Sequence, residues 1–157
     1  MKKIFGFMVV TVIAISLAYA PVAFADAGKG KSLFESKAKK CKTCHKATGD
    51  PNKFKPVGPG LKGVGKKLGK EYLQKWLSPN NAELWGSAID EKGKIISEPE
   101  YKNLKDLMSR YKAAKKGKKM KKSQMVKNFA PGKKGKAPKI VLTDQEKNDI
   151  VDYLMTL

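Results

Sequence analysis

The chain has 157 residues, room for one domain and little more, and carries 34 basic against 14 acidic residues for a formal net charge of +20. So basic a chain suggests nucleic acid as a partner, but its lysines are not interleaved with aromatic residues as in a recognisable nucleic-acid-binding module, which argues against that class. The positive charge instead favours an acidic protein surface or an anionic membrane face as the binding partner.

Residues 1–25 have the layout of a secretory signal peptide. Lys2 and Lys3 form a positive start, an apolar run reaches Leu17, and Ala23-Phe24-Ala25 supplies a small-x-small cleavage site before Asp26. An uncleaved membrane anchor is the alternative, although the apolar run is short for a span. We therefore expect a periplasmic mature domain, residues 26–157, with 32 basic and 14 acidic residues and a net charge of +18.

The first helix is predicted from Gly28 to Lys40, with Leu33, Phe34 and Ala38 on one side. Directly after it, Cys41-Lys42-Thr43-Cys44-His45 contains both cysteines and the single histidine of the chain. The pattern C-x-x-C-H is the attachment signature of c-type haem. Two thiols three positions apart on a helical turn face one side, where they can form thioethers with two vinyl groups. His45 then lies where its imidazole can ligate the iron, and its other ring nitrogen should donate to a backbone carbonyl.

Three other interpretations of the two cysteines compete with haem attachment. A disulfide between Cys41 and Cys44 would be normal in an exported protein. A thioredoxin-like pair needs a βαβ context that the sequence lacks, and a structural zinc site needs four ligands, for which no second Cys/His pair exists. With one histidine in the chain, the sixth iron ligand is Met, Lys, Asn, water or nothing.

A loop rich in Gly and Pro follows, with such residues at positions 49, 51, 56, 58, 59 and 60, and is expected to wrap a haem edge. Glu71 to Leu77 is predicted to be a short helix that Pro79 ends. Trp76 on this helix is either a core residue or a donor to a haem propionate, and both interpretations stand.

The region after this helix has weaker signals, with a turn expected at residues 90–93. Ser97 to Glu100 has the pattern of a capping box, which predicts a helix ending near Gly117 with an apolar stripe that includes Met108. From Arg110 to Lys139 there are 13 basic residues and no acidic one. Much of this run is expected to be loop, and 132–139 in particular a solvated or loosely ordered segment.

The last helix has clear signals. Thr143 to Glu146 forms a second capping-box pattern, and an apolar stripe follows at Ile150, Val151, Leu154 and Leu157. No strand pattern of useful length occurs anywhere in the chain. The sequence therefore predicts an all-α fold.

With these residues in hand, the chain resembles the class I monohaem cytochrome c family. The resemblance rests on the first-helix motif Gly30 to Phe34, the haem site Cys41 to His45, the G-P-x-L-x-G stretch Gly58 to Gly63, the middle helix Glu71 to Leu77 and the closing helix Asp149 to Leu154. It implies a bundle of about four or five helices around one covalently bound haem c, with the first and last helices crossing. Gly30 and Phe34 would then pack against Tyr153 and Leu154, and the carbonyl of Pro59 would accept a hydrogen bond from His45.

The chain departs from the family pattern in two places. Six residues separate Phe34 from Cys41, so the first helix has room for an interruption. No methionine occurs between Trp76 and Met108, where the family places its iron ligand, and the sequence predicts a lysine-rich insertion at about 80–139 with a helix of its own.

The mature chain has four methionines that are candidates for the sixth ligand. Met108 belongs to an apolar stripe, and Met155 lies inside the closing helix, which disfavours both. Met120 and Met125 lie on the irregular segment before that helix, where the family ligand is found. Met125 is the first choice and Met120 the second, with a Lys ligand or an open position as the alternatives.

The function predicted from these patterns is electron transfer without enzymatic activity. One haem per chain would shuttle single electrons between respiratory-chain partners in the periplasm, with acidic-surfaced redox proteins or a membrane oxidase or reductase as partners. Peripheral contact with an anionic membrane would suit the same charge, and nucleic acid is not expected as a partner. The rivals are a haem enzyme or gas-binding cytochrome with an open sixth position, and a fixed subunit of a membrane complex.

Overall fold

The computed structural model describes residues 26–54, 57–90, 93–129 and 137–157. Within these ranges the chain is mostly helical, and its only β pairing consists of isolated bridges. The elements are α1 (Ala27–Glu35), α2 (Cys41–Cys44), α3 (Val64–Leu68), α4 (Lys70–Trp76), the 3-10 helix η1 (Asn81–Ala88), α5 (Lys102–Ala114), α6 (Gln124–Phe129) and α7 (Asp144–Met155). The all-α prediction is confirmed. The described residues form seven α-helices and one 3-10 helix, more than the four or five expected, and α2, α3 and α6 among them are short. The expected signal peptide lies outside the described residues, as does most of the segment 132–139.

Helices α1 and α7 pack tightly against each other. A Cβ atom on Gly30 would lie 1.9 Å from the backbone oxygen of Asp149, so only glycine permits this approach. Phe34 and Tyr153 are both buried, with ring centroids 5.7 Å apart. The predicted contact between the first and last helices is confirmed.

Helix α1 is shorter than predicted, because it ends at Glu35 and not at Lys40. Ser36 adopts an extended conformation, its hydroxyl donates to the carbonyl of Leu33, and the same oxygen accepts from the backbone nitrogen of Lys39. A serine side chain that bonds nearby backbone groups in this way competes with helix continuation. The segment between Phe34 and Cys41 thus contains a turn.

The buried apolar side chains form two clusters. The first cluster lies between α1, α4 and α7 and includes Phe34, Leu73 and Ile150. The second cluster belongs to the expected insertion and consists of Leu84, Trp85, Leu104 and Val126. Trp76 packs against both clusters, so its indole joins the inserted segment to the rest of the fold.

Two predictions for the inserted segment were wrong. The capping box expected at 97–100 does not start a helix: α5 begins at Lys102, and its N-cap residue, Tyr101, makes no side-chain capping bond. Pro99 is completely buried and Ser97 donates its backbone N–H to Ala88, so tertiary packing holds this stretch outside the helix. The segment around Met125, expected to be irregular, is helix α6.

The helix predicted at the C-terminus forms as expected. The Thr143 hydroxyl accepts from the backbone of Glu146, and the Glu146 carboxylate accepts from the backbone of Thr143, which completes the capping box of α7. None of the helices in the described ranges is both long enough and apolar enough to cross a membrane.

Candidate functional site

The segment Cys41 to Cys44 forms one short helical turn, α2. Lys40 precedes it in the left-handed region at φ 58°, which turns the chain sharply after the first helix. His45 follows in extended conformation and donates its backbone N–H to the carbonyl of Cys41. Both thiols are free, and burial raises the pKa of the Cys41 thiol to about 11, so this thiol is protonated at neutral pH.

The imidazole of His45 is fixed by one hydrogen bond. Its Nδ1 lies 2.9 Å from the carbonyl oxygen of Pro59, which can only accept, so Nδ1 carries the proton and Nε2 is left with a free lone pair. The hydrogen bond that the family resemblance implied is confirmed. Burial lowers the pKa of His45 below its ordinary value, and the Pro59 carbonyl offsets this only in part. A neutral imidazole with one free nitrogen is the form that binds metals.

The Gly-Pro loop is closed against this histidine. Gly58 donates its backbone N–H to the carbonyl of Cys44, and a Cβ atom on Gly58 would lie 2.4 Å from Cε1 of His45. At the other end of the turn, a Cβ atom on Gly60 would lie 2.2 Å from the backbone of Gly49. Both glycines are required because backbone or ring atoms occupy the space that a side chain would fill.

Cys41, Cys44 and His45 line one large cavity of about 1040 Å³. Small-molecule sites usually measure about 300–1,000 Å³, so this cavity has room for a large ligand. Its walls include apolar side chains from across the fold, namely Phe34, Leu68, Leu73, Leu104, Phe129, Ile150 and Leu154. The cavity is therefore suited to a large, mainly apolar group held next to two thiols and an imidazole.

Helix α5 forms a wall of the cavity, a role that the sequence did not reveal. Arg110 donates from Nη1 to the carbonyl of Pro51 at 2.7 Å, and Lys115 donates from Nζ to the carbonyl of Phe54 at 3.1 Å. The ring of Tyr111 meets the ring of Phe54 edge-on at 5.3 Å. Three side chains of the insertion thus hold the loop that lies between His45 and Pro59.

Arg110 itself was missed as a site residue. It lines the cavity, and its Nε is buried without a hydrogen-bond partner among the described residues. A signal for it was present in the composition, because Arg110 is the only arginine among 34 basic residues. Arginine offers five donors in a planar fork, so a single one in a lysine-rich chain indicates a position where this geometry is used.

The methionines fall into two groups. Met120 and Met125 both line the cavity, Met125 packing on the first cluster and Met120 on the second. Met108 packs on the second cluster and is not part of the cavity wall, as predicted, and Met155 is 41 % exposed. The structure brings the two favoured candidates into the same cavity as His45.

Trp76 also lines the cavity. Its ring stacks on Tyr72 at 6.1 Å and lies 6.4 Å from the ring of Trp85. Burial, with a smaller contribution from Tyr101, raises the pKa of Tyr72 to about 12, so the phenol keeps its proton at neutral pH. These aromatic rings make the boundary between the cavity and the second cluster.

Lysines surround part of the cavity. We call Lys115, Lys118, Lys119, Lys121 and Lys122 the lysine rim, since all five line the cavity and follow directly on α5. In the described part of the chain none of them forms an ion pair, and the ion pairs that do form, such as Lys39 with Glu146, lie elsewhere. Their uncompensated charge makes this side of the cavity strongly positive.

The described residues contain no group of three or more His, Cys, Asp or Glu side chains that could hold a metal ion. Comparisons of the chain with protein-family models, with curated proteins and with solved structures found no match. The chemistry of the site is therefore inferred from its own residues.

Proposed function

We propose that the chain is an exported monohaem c-type cytochrome that carries single electrons between periplasmic redox partners. The observation that carries this proposal is that Cys41, Cys44 and the free Nε2 of His45 face one large apolar cavity. A haem bound there supplies one-electron exchange between ferric and ferrous iron.

The residues of the cavity fit a covalently attached haem. The cavity has the size and the apolar walls for a large macrocycle, and its two thiols lie on one helical turn. The Pro59 carbonyl fixes the His45 ring so that its free Nε2 would bind the haem iron, and Gly58 leaves space for that ring. The unpartnered Nε of Arg110 suits the carboxylates that a haem carries.

For the sixth ligand we propose Met125, with Met120 as the second choice. Both side chains line the cavity, and Met125 packs on the cluster that also contacts Cys41. A thioether ligand favours ferrous iron and raises the reduction potential, which suits a carrier late in a respiratory chain. Trp76 contributes chiefly as a packing residue in this proposal, because its ring joins the two clusters.

The lysine rim supports an acidic protein as the electron partner. Five lysines without ion pairs in the described residues surround the cavity through which electrons would enter or leave. Complementary charge accelerates encounter and orients the two proteins, and the contact stays short-lived. Export after cleavage at Ala25 would bring the chain to such partners in the periplasm.

The test is the visible spectrum of the protein produced in a host that attaches haem during export. Sharp reduced bands that survive acid-acetone extraction, and that do not change with carbon monoxide, are expected of covalent haem with six ligands. Replacing both Cys41 and Cys44 by Ala should abolish the covalent pigment. Pigment that extracts freely would contradict covalent attachment, and a high-spin spectrum that shifts with carbon monoxide would favour a haem enzyme or gas-binding protein.

The sixth ligand is tested by single substitutions. Met125→Ala should give a carbon monoxide-sensitive spectrum, because removal of the thioether opens a coordination position. Met155→Ala, which changes an exposed methionine outside the cavity, is the control and should leave the spectrum unchanged. If Met125→Ala is also unchanged and Met120→Ala is not, the ligand is Met120.

A further inference from the structure

Asp149 is a buried carboxylate that has no cationic partner in the described part of the chain. It lies on α7, where α1 approaches most closely, and is only 3 % exposed. Its Oδ1 accepts from the side-chain nitrogen of Gln145 at 2.7 Å and from the backbone nitrogen of Asp26 at 2.8 Å. No lysine or arginine of the described ranges forms an ion pair with it. A buried charge without a counter-charge is costly.

Asp149 accepts a hydrogen bond from the backbone nitrogen of Asp26, and Asp26 has a special position in the sequence. Asp26 is the first residue after the expected cleavage site Ala23-Phe24-Ala25. Its own carboxylate accepts from the backbone nitrogens of Gly28 and Lys29 and so caps α1, while its backbone nitrogen points to α7. The close approach of Gly30 to Asp149 holds the two helices at this distance.

We propose that Asp149 is the binding site for the α-ammonium group that signal-peptide cleavage creates on Asp26. Hydrolysis of the Ala25–Asp26 peptide bond adds water across the C–N bond, so that Ala25 leaves as a carboxylate and Asp26 keeps the nitrogen. That nitrogen takes up a proton and becomes an ammonium group with three donors. The neutral hydrogen bond at 2.8 Å thereby becomes a partly buried ion pair between α1 and α7.

The consequence is that maturation strengthens the contact between the first and last helices. The ammonium group also lies on the same residue as the Asp26 carboxylate, which adds a second negative charge close to it. This inference rests on the proposed export and cleavage of the chain, and it does not depend on the bound haem.

The test compares four exported proteins. The wild-type chain and a chain with one Ala inserted between Ala25 and Asp26 are each made with Asp149 and with Asp149→Asn. The insertion moves the ammonium group about 3.8 Å along the chain and leaves Asp26 with a neutral N–H. Intact mass establishes the N-terminal residue of every sample, and urea unfolding gives the folding equilibrium constant.

With Asp149 present, the insertion should lower the folding equilibrium constant about tenfold or more, and with Asp149→Asn it should lower it less than about threefold. An equal loss in both backgrounds, or no loss in either, would overturn the proposal. An N-terminal residue other than Asp26 in the wild-type protein would also overturn it. Loss of the haem spectrum alone would count against the proposed function and leave this comparison intact.

A second measurement covers the case in which Asp149→Asn does not fold. Acetic anhydride labels free amines, and mass spectrometry of peptides compares the labelling rate of the α-amine with that of exposed Lys31. The α-amine of the wild-type protein should react at least about tenfold more slowly, relative to Lys31, than the α-amine of the insertion variant. Equal relative rates would show that the ammonium group is not held, and the proposal would be wrong.

Discussion

Arg110 shows how one side chain can link an inserted helix to the candidate site. Its Nη1 donates to the carbonyl of Pro51, and its Nε is buried at the cavity wall with no partner in the part of the chain that the structure describes. A lysine has a single ammonium group and could not reach both places at once. The one arginine of a chain with 34 basic residues thus stands where a forked donor is needed.

If the chain binds the proposed haem, we predict that Arg110→Gln lowers the midpoint potential by roughly tens of millivolts. Removing a half-buried positive charge from the cavity wall disfavours the ferrous state, which carries one positive charge fewer than the ferric state. Spectroelectrochemical titration gives the potential, and Lys31→Gln on the exposed face of α1 is a control for loss of one charge. Equal potentials for Arg110→Gln and Lys31→Gln would contradict a role for Arg110 in the site.

Gly58 is the second residue at which the structure predicts the effect of a substitution. In Gly58→Ala the new methyl would lie 2.4 Å from Cε1 of His45, so the ring or the loop must shift. Overpacking of this kind usually costs about 1–3 kcal/mol of the free energy of unfolding. Urea unfolding should show this loss together with an altered spectrum of the proposed haem, whereas Val141→Ala, at an exposed position outside the cavity wall, should change neither. A wild-type spectrum in Gly58→Ala would mean that the His45 ring has more room than the structure gives it.

At the scale of helices, the sequence predicted those features that depend on neighbours along the chain. The helical turn at Cys41–Cys44 and the capping box of α7 follow from local spacing, and both formed. The early end of α1 depends on which way the Ser36 side chain turns, and pattern alone does not show this. The start of α5 was misplaced because burial of Pro99 is a tertiary effect.

The candidate site was predictable to a similar extent. The cysteines, His45 and its bond to Pro59 were expected from motif and resemblance, and the bond is present. The wall made by α5 was not expected, because Arg110 and Pro51 are 59 positions apart in the chain. Contacts at such a separation leave no periodic pattern in the sequence.

The capping box of α7 predicts how the stability of the protein depends on pH. A hydrogen bond from Lys39 and then the backbone of Thr143 lower the pKa of Glu146. A lowered pKa means that the contribution to stability is complete above the ordinary value of about 4.3 and is lost as pH falls through the lower folded value. Glu146→Gln should therefore cost about 0.5 kcal/mol at pH 7, within the range typical of ion pairs near the protein surface, and much less at pH 2–3.

Urea unfolding of Glu146→Gln and wild type at both pH values checks this expectation. The difference at pH 7 should also shrink in 1 M salt, because the ion pair with Lys39 is only half-buried and salt can screen it in part. A difference that stays constant from pH 7 to pH 2 would show that the charge of Glu146 contributes nothing.

At the scale of the whole molecule, charge is distributed unevenly. The segment from Arg110 to Lys139 holds 13 basic residues and no acidic one, and the lysine rim belongs to it. The ion pairs of the described residues lie outside this segment, so no acidic side chain of the described ranges neutralises its charge. A surface of this kind attracts an acidic partner over a distance set by ionic strength.

We therefore predict that the rate of electron transfer to an acidic redox protein falls steeply with salt. The triple variant Lys118→Gln, Lys119→Gln, Lys121→Gln should be slower at low salt and less sensitive to salt, because it lacks three charges of the rim. Lys29→Gln, Lys31→Gln, Lys37→Gln removes the same net charge from exposed positions on or just after α1 and serves as the matched control. Stopped-flow rates that are equal for the two triple variants would remove the lysine rim from the mechanism.

The contact between α1 and α7 has a further consequence for the order of events during export. Cys44 and Asp144 are 100 positions apart, so the turn Cys41–Cys44 leaves the ribosome well before the helix that completes the first cluster. At ordinary rates of synthesis this interval lasts roughly 5 to 20 s. If the proposed export keeps pace with synthesis, α1 has no partner during this interval, the cavity has no closing wall, and both thiols are accessible. Attachment enzymes would thus work on an open, nascent chain, and arrival of the last helix would end their access.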